Sequence, residues 1–289
     1  MKKITALIFI FVHIFAFSQT ELPSDIVFST NFSDAENHYV VLDSKPQDGQ
    51  YLIGVPYYDS TAGYTFRLSG YFKVNNGKLV LIEDPSASNG IMIARWQKLD
   101  AKVAVLNDKR LKELGLSNPA EFLENYKSSL PEKEQLVNRL SSMNAAGYSN
   151  LALPRLEQLK KERYSSSKFY FELIFAYNAL RQLDKANQTA DEAISKGFRD
   201  ELILKEKHFA MLHNNNEDAA GAFLKENLKF IESPVYRSEM VINQLAVYNN
   251  KKNIEKTKEW IAIHKKEIGK DRFTEAILKL ESELNNTDK

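Results

Sequence analysis

Beyond residue 18 the chain has four histidines, His38, His208, His213 and His264, its first candidates for proton transfer or metal ligation. His208 and His213 stand five apart in a segment of helical pattern, which turns them to different faces. A metal-binding pair on one helix needs a spacing of three or four. His38 opens a strand-like run beside Tyr39 and has no partner near it in sequence. The acid pairs Glu83-Asp84, Asp191-Glu192 and Glu217-Asp218 read as turn or helix-start residues, with Glu192 on a solvated face; acids at a helix start are favoured by its dipole. No G-x-S-x-G elbow, P-loop, Rossmann glycine fingerprint or EF-hand loop occurs. Residues 43–49 (DSKPQDG) are too short and too poor in acids to hold calcium. There is no cysteine, which excludes disulfides, thiolate zinc sites, a cysteine nucleophile and a lipid-modified cysteine. The pattern points away from an enzyme, a resident metal and a cofactor. What remains is recognition chemistry. Tyr57, Tyr58 and Trp96 lie in a strand-rich stretch, where aromatics stack on sugars or pack across strands.

The chain carries Lys2-Lys3 and then an almost wholly apolar run over residues 4–17. That run is too short to span a bilayer, which takes about 20 apolar residues, and it matches the core of a secretory signal. Ala16 and Ser18 supply small residues at the −3 and −1 positions, predicting cleavage between Ser18 and Gln19. The leader resembles export signals of Gram-negative bacteria, which implies a periplasmic or secreted protein with no integral membrane span after cleavage. Losing Lys2 and Lys3 takes the net charge from +1 to −1. Such a balance gives no long-range field to gather nucleic acid or anionic lipid, so nucleic acid is not an expected partner.

Within an expected β domain of residues 19–107, the pattern has the period of strands from about residue 26 to 107. Over 64–74, Tyr64, Phe66, Leu68, Gly70, Phe72 and Val74 alternate with Thr65, Arg67, Ser69, Tyr71 and Lys73, predicting one strand with one apolar face. Asn76-Gly77 then predicts a tight hairpin into 79–82. Asp48-Gly49 separates strand-like runs at 38–43 and 51–55, and Asn89-Gly90 precedes one at 91–96. With 102–106 this makes about six strands, in a small antiparallel meander closed as a barrel or folded as a sandwich. Residues 108–130 read as a helical connector. Asp108 is the expected cap of a first helix ended by Gly115, and Asn118-Pro119-Ala120-Glu121 predicts the start of a second.

From residue 131 to 289 the pattern is helical, in segments of similar length. The pairs 168–183 with 185–196, and 200–213 with 217–231, superpose under a shift of 34: Tyr170 falls on Leu204, Ala176 on Ala210, Tyr177 on Met211 and Ala186 on Ala220. Small residues recur where helices must approach closely. This period resembles that of tetratricopeptide repeats. Tyr170, Leu173 and Tyr177 match that family's first-helix positions, and Ala186 and Ala193 match its second-helix alanines. Ile174, Arg181 and Ala190 depart from it, Arg181 standing where the family has a turn glycine. A third pair, 235–248 with 254–266, drifts by about two residues, and 271–284 would form a capping helix. The resemblance covers about residues 151–286.

The expected fold is therefore α+β in two domains: a small antiparallel β domain followed by an all-α solenoid of about four helical hairpins. The resemblance implies an extended recognition surface for an unidentified protein or peptide ligand. Asn178 and Lys205 are the first-helix side chains expected to face such a groove. Two other readings stand beside this one. One is a carbohydrate-binding envelope protein using Tyr57, Tyr58 and Trp96; the other is an envelope hydrolase with an unrecognised site between the domains.

Overall fold

The computed structural model describes residues 21–44, 49–82 and 91–287. The expected leader at residues 1–18, Asp48, Glu83-Asp84 and Asn89-Gly90 lie outside the described residues. The chain divides into two compact units, at 127/128.

The first unit is built on an antiparallel sheet of seven strands: β1 (Thr30–Asn31), β2 (Val40–Leu42), β3 (Tyr51–Asp59), β4 (Gly63–Asn75), β5 (Lys78–Ile82), β6 (Ile93–Arg95) and β7 (Lys102–Val105). All six expected strands are present, joined by the short β1. The order is β1-β7-β2-β3-β4-β5, with β6 also on β4. The sheet is open, and β7 inserts between β1 and β2, so it is neither a closed barrel nor a simple meander. Asn75 pairs with Lys78 across the expected two-residue turn. Asn76 and Gly77 take φ of 49° and 75° there, the left-handed pair that matches strand twist.

The single apolar face expected for β4 is not what forms. Ile53 pairs with Gly70 but its neighbour Gly54 pairs with Leu68, so Ser69 is an extra residue in a β-bulge. A one-residue slip moves every later side chain to the other face. Phe72 and Val74 thus join Val41, Ile53 and Val55 in one core, while Phe66 packs on the opposite face with Phe32 and Trp96. Gly54 is required at the crossover, because a Cβ there would lie 2.3 Å from the Phe66 ring and 2.4 Å from the Arg67 carbonyl.

The expected connector is part of this unit. The helix α1 (Asp108–Leu114) puts Leu111 and Leu114 into the core with Val41 and Phe72. Asn107, not Asp108, caps it, accepting from the Arg110 N–H, and Gly115 ends it at φ 66° as expected. Residues Glu121–Tyr126 form a 3₁₀ helix rather than the expected capped α-helix. Phe122 and Tyr126 of that turn close on the ring of Tyr57.

The second unit is all-helical: α2 (Glu132–Ala145), α3 (Ser149–Lys161), α4 (Ser167–Ala179), α5 (Leu183–Ser195), α6 (Glu201–His213), α7 (Glu217–Asn227), α8 (Pro234–Asn250), α9 (Ile254–Glu267) and α10 (Thr274–Thr287). Four hairpins and a last helix result. The backbone carries the 34-residue period more strictly than the side chains do. Gly147, Arg181 and Asn215, each 34 apart, all have positive φ at the turn inside a hairpin, as do Arg163 and Gly197 between hairpins. The next N–H closes each turn on the carbonyl five back: Tyr148 on Met143, Gln182 on Tyr177, Asn216 on Met211. Arg181 therefore keeps the backbone of a turn glycine without being one. Ala152, Ala186 and Ala220 are equivalent and fully buried. The period starts one hairpin earlier than the side chains indicate, at α2. It breaks after α7, where Lys252 follows Asn215 by 37, a drift of three residues taken up by the longer α8.

Candidate functional site

Within the helical unit, the first helices of the hairpins pack on one another in series, α2 on α4, α4 on α6 and α6 on α8. The second helices α3, α5 and α7 pack against one another far less. Closer spacing on one side bends a stack toward that side, so the first helices form its inner face. Side chains three, four and seven apart line one stripe of a helix. Lys205, Phe209 and Leu212 form such a stripe on α6, Phe171, Phe175 and Asn178 on α4, and Glu239 and Asn243 on α8.

These stripes border a cavity of about 320 Å³. Phe175 and Asn178 enter it from α4, Lys205, Glu206 and Phe209 from α6, and Glu239 and Asn243 from α8. Both residues expected to face a groove are therefore here. They differ in role. Asn178 is 4% exposed, and its amide donates to the Glu206 carbonyl at 2.9 Å and to Glu206 Oε2 at 2.8 Å. The same clasp occurs one repeat earlier, Asn144 donating to the carbonyl and carboxylate of Glu172 at 3.0 and 2.8 Å. Asn178 thus joins α4 to α6 as well as lining the cavity. Lys205 is half-buried; its Nζ lies 3.2 Å from Glu239 and over the Tyr236 ring at 4.8 Å.

The electrostatics of the cavity are uneven. Burial raises the pKa of Glu206, Glu239 and Glu172 add to the rise, and the Asn178 hydrogen bond and Lys205 oppose it. Glu206 makes no ion pair among the described residues. Below it, His208 is almost fully buried and shares a hydrogen bond of 3.0 Å with Gln244. Burial holds His208 neutral, its pKa lowered to about 4. His213 is exposed and lies against the Phe209 ring.

The other sequence candidates are scattered. Tyr57 is 1% exposed beneath Phe122 and Tyr126, a packing residue with no face open to a sugar. Tyr58 lies edge-on to Tyr64 on the other side of the sheet. One face of Trp96 is stacked on Phe32 at 4.7 Å, and its Nε1 donates to the Lys98 carbonyl. His264 is buried against Asp271, and His38 bonds the Glu36 carbonyl. Among the described residues, no three histidine or acidic side chains gather where they could hold a metal ion.

Glu192 is about one-third exposed and held in a network, not on the freely solvated face expected for it. It accepts from Tyr170 Oη at 2.7 Å and from Lys196 and Lys160 at 2.8 and 2.9 Å. Burial opposes its ionisation, and these hydrogen bonds outweigh burial, holding the pKa down at about 2. Asp191 is likewise engaged, with the buried ammonium of Lys207. The bonds of Glu192 to Tyr170 and Lys160 and of Asp191 to Lys207 cross between helices and are not visible in local spacing, whereas Lys196 is a local partner four residues on. Glu206 was also missed in sequence; its signal was a 34-residue equivalence to Glu172, matched by Asn144 and Asn178.

No protein-family model matches the chain, and no curated protein matches it.

Proposed function

We propose that this chain is an exported, non-catalytic interaction protein of the bacterial envelope, with tetratricopeptide-like hairpins that recognise a protein or peptide partner. The cavity on the inner face carries this reading. It is concave, largely apolar in its lining and bordered by three successive first helices, the kind of surface on which helical repeats seat extended ligands. The helices that build it are tied to each other by buried polar clasps, so the surface is preformed, which lowers the ordering cost of binding.

A photo-crosslinking amino acid placed at Phe175 or Asn243 in cells should trap a partner, whereas one at exposed Glu226 on α7 should trap far less. Equal adducts from both positions, or none from the inner face, would count against the proposal. The export half of it rests on the leader-like residues 1–18. Mass spectrometry of the protein recovered from cells should find Gln19 first. No helix among the described residues is long and apolar enough to cross a membrane.

A further inference from the structure

The cavity between α4, α6 and α8 contains two carboxylates, Glu206 and Glu239, and one permanent cation among its described lining residues, Lys205. Lys205 is already committed, 3.2 Å from Glu239 and over Tyr236. Among the described residues the Glu206 carboxylate accepts its hydrogen bond from the neutral amide of Asn178. Resting on the interaction reading above, we infer that this cavity accepts a cationic side chain, lysine or arginine, from a partner peptide.

Two features fit that occupant. The carboxylate of Glu206 has no ion-pair partner among the described residues, and an entering ammonium or guanidinium would supply one in a desolvated place where pairing is strong. The Phe175 and Phe209 rings form apolar walls, and aromatic faces attract cations as well as the methylene stem behind them. The raised pKa of Glu206 agrees with this geometry, since a carboxyl short of compensation holds its proton more tightly. An anionic ligand meets the opposite conditions. It would face Glu206 and Glu239 and would have to break the Lys205–Glu239 pair to gain a partner. A wholly apolar side chain would leave the Glu206 carboxylate desolvated without an ion-pair partner.

The test uses the full chain and hexapeptide sublibraries, each with one fixed residue: lysine, arginine, glutamate, phenylalanine or glycine. Retention of the lysine and arginine sublibraries above the others is the expected result. Glu206→Gln preserves the acceptor for Asn178 and removes only charge, so it should weaken that retention about tenfold or more. Glu239→Gln frees Lys205 to repel the ligand and should weaken it too, with circular dichroism and melting unchanged. Selection of the glutamate sublibrary, lost in Lys205→Met, would overturn the inference while leaving a peptide-binding surface in place. Binding without charge preference and indifferent to Glu206→Gln would overturn it in the same way. Retention of no sublibrary would overturn both this inference and the reading on which it rests.

Discussion

Glu192 shows how a hairpin stack turns a surface acid into a structural one. Its carboxylate receives Tyr170 from α4, Lys160 from α3 and Lys196 from its own helix, so one side chain ties three helices. The group is about one-third exposed, which weakens its ion pairs through solvent screening. The hydrogen bond from nearly buried Tyr170 is less screened. Glu192→Ala should therefore cost on the order of 1–2 kcal/mol, much of it from the phenol that loses its acceptor. Glu192→Gln, which keeps an acceptor, should cost less. Urea unfolding reads both, and a neutral Glu192→Ala would mean that the network contributes nothing. At this scale, legibility depended on distance along the chain. Asn178 and Lys205 were found because helical spacing fixes which way a first-helix residue points. Glu192, Lys207 and Glu206 were misread or missed because the decisive partners arrive from other helices, 16 to 28 residues away for the bonds to Tyr170, Asp191 and Asn178.

Elements were more legible than residues, and the exceptions have physical causes. Period-two alternation located the strands, but no composition signal marks the bulge at Ile53/Gly54, so β4 was assigned one apolar face when it has two. The 3₁₀ turn at 121–126 is set by packing around Tyr57, which overrides a helix-start pattern. In the helical unit the small residues carried the register. Ala152, Ala186 and Ala220 sit where the second helix of a hairpin meets its first, with no measurable exposure. A larger side chain there must push helices apart. Ala186→Leu should cost about 1–3 kcal/mol. A stack passes such strain chiefly to its nearest units. Hydrogen exchange should therefore accelerate in α4 to α7, while amides of β3 and β4 keep their protection. If Ala186→Leu leaves α4 and α5 equally protected, the alanine is not a close-packing position and the 34-residue equivalence loses its physical meaning.

For the whole molecule, acid sensitivity follows from which groups are held away from their ordinary ionisation. Glu192 and Asp271 each titrate near 2 in the folded chain; burial opposes this in both, and hydrogen bonds prevail, from Ser238, His264 and the Phe273 N–H at Asp271. Their folded pKa values lie below the unfolded ones, so their stabilisation is present above about pH 4 and is lost as pH falls toward 2. His208 acts earlier. Burial keeps it neutral down to about 4 in the folded chain, whereas it protonates near 6.5 when unfolded. Between those values the unfolded state binds the additional proton, so stability falls as pH drops from 6.5 to 4, by about 3 kcal/mol for a fully held shift. Glu206 works in the opposite sense, since its raised pKa favours the folded state as it protonates. The two groups share α6, so a pH profile of the native chain alone mixes them. The difference between the native chain and His208→Gln separates them, because glutamine cannot titrate. That difference should be constant above pH 7 and shift steadily in favour of the variant between 6.5 and 4. Urea midpoints of both proteins measured across this range test it. A constant offset at every pH would show that His208 is not held neutral, and that the polar contact with Gln244 between α6 and α8 tolerates charge.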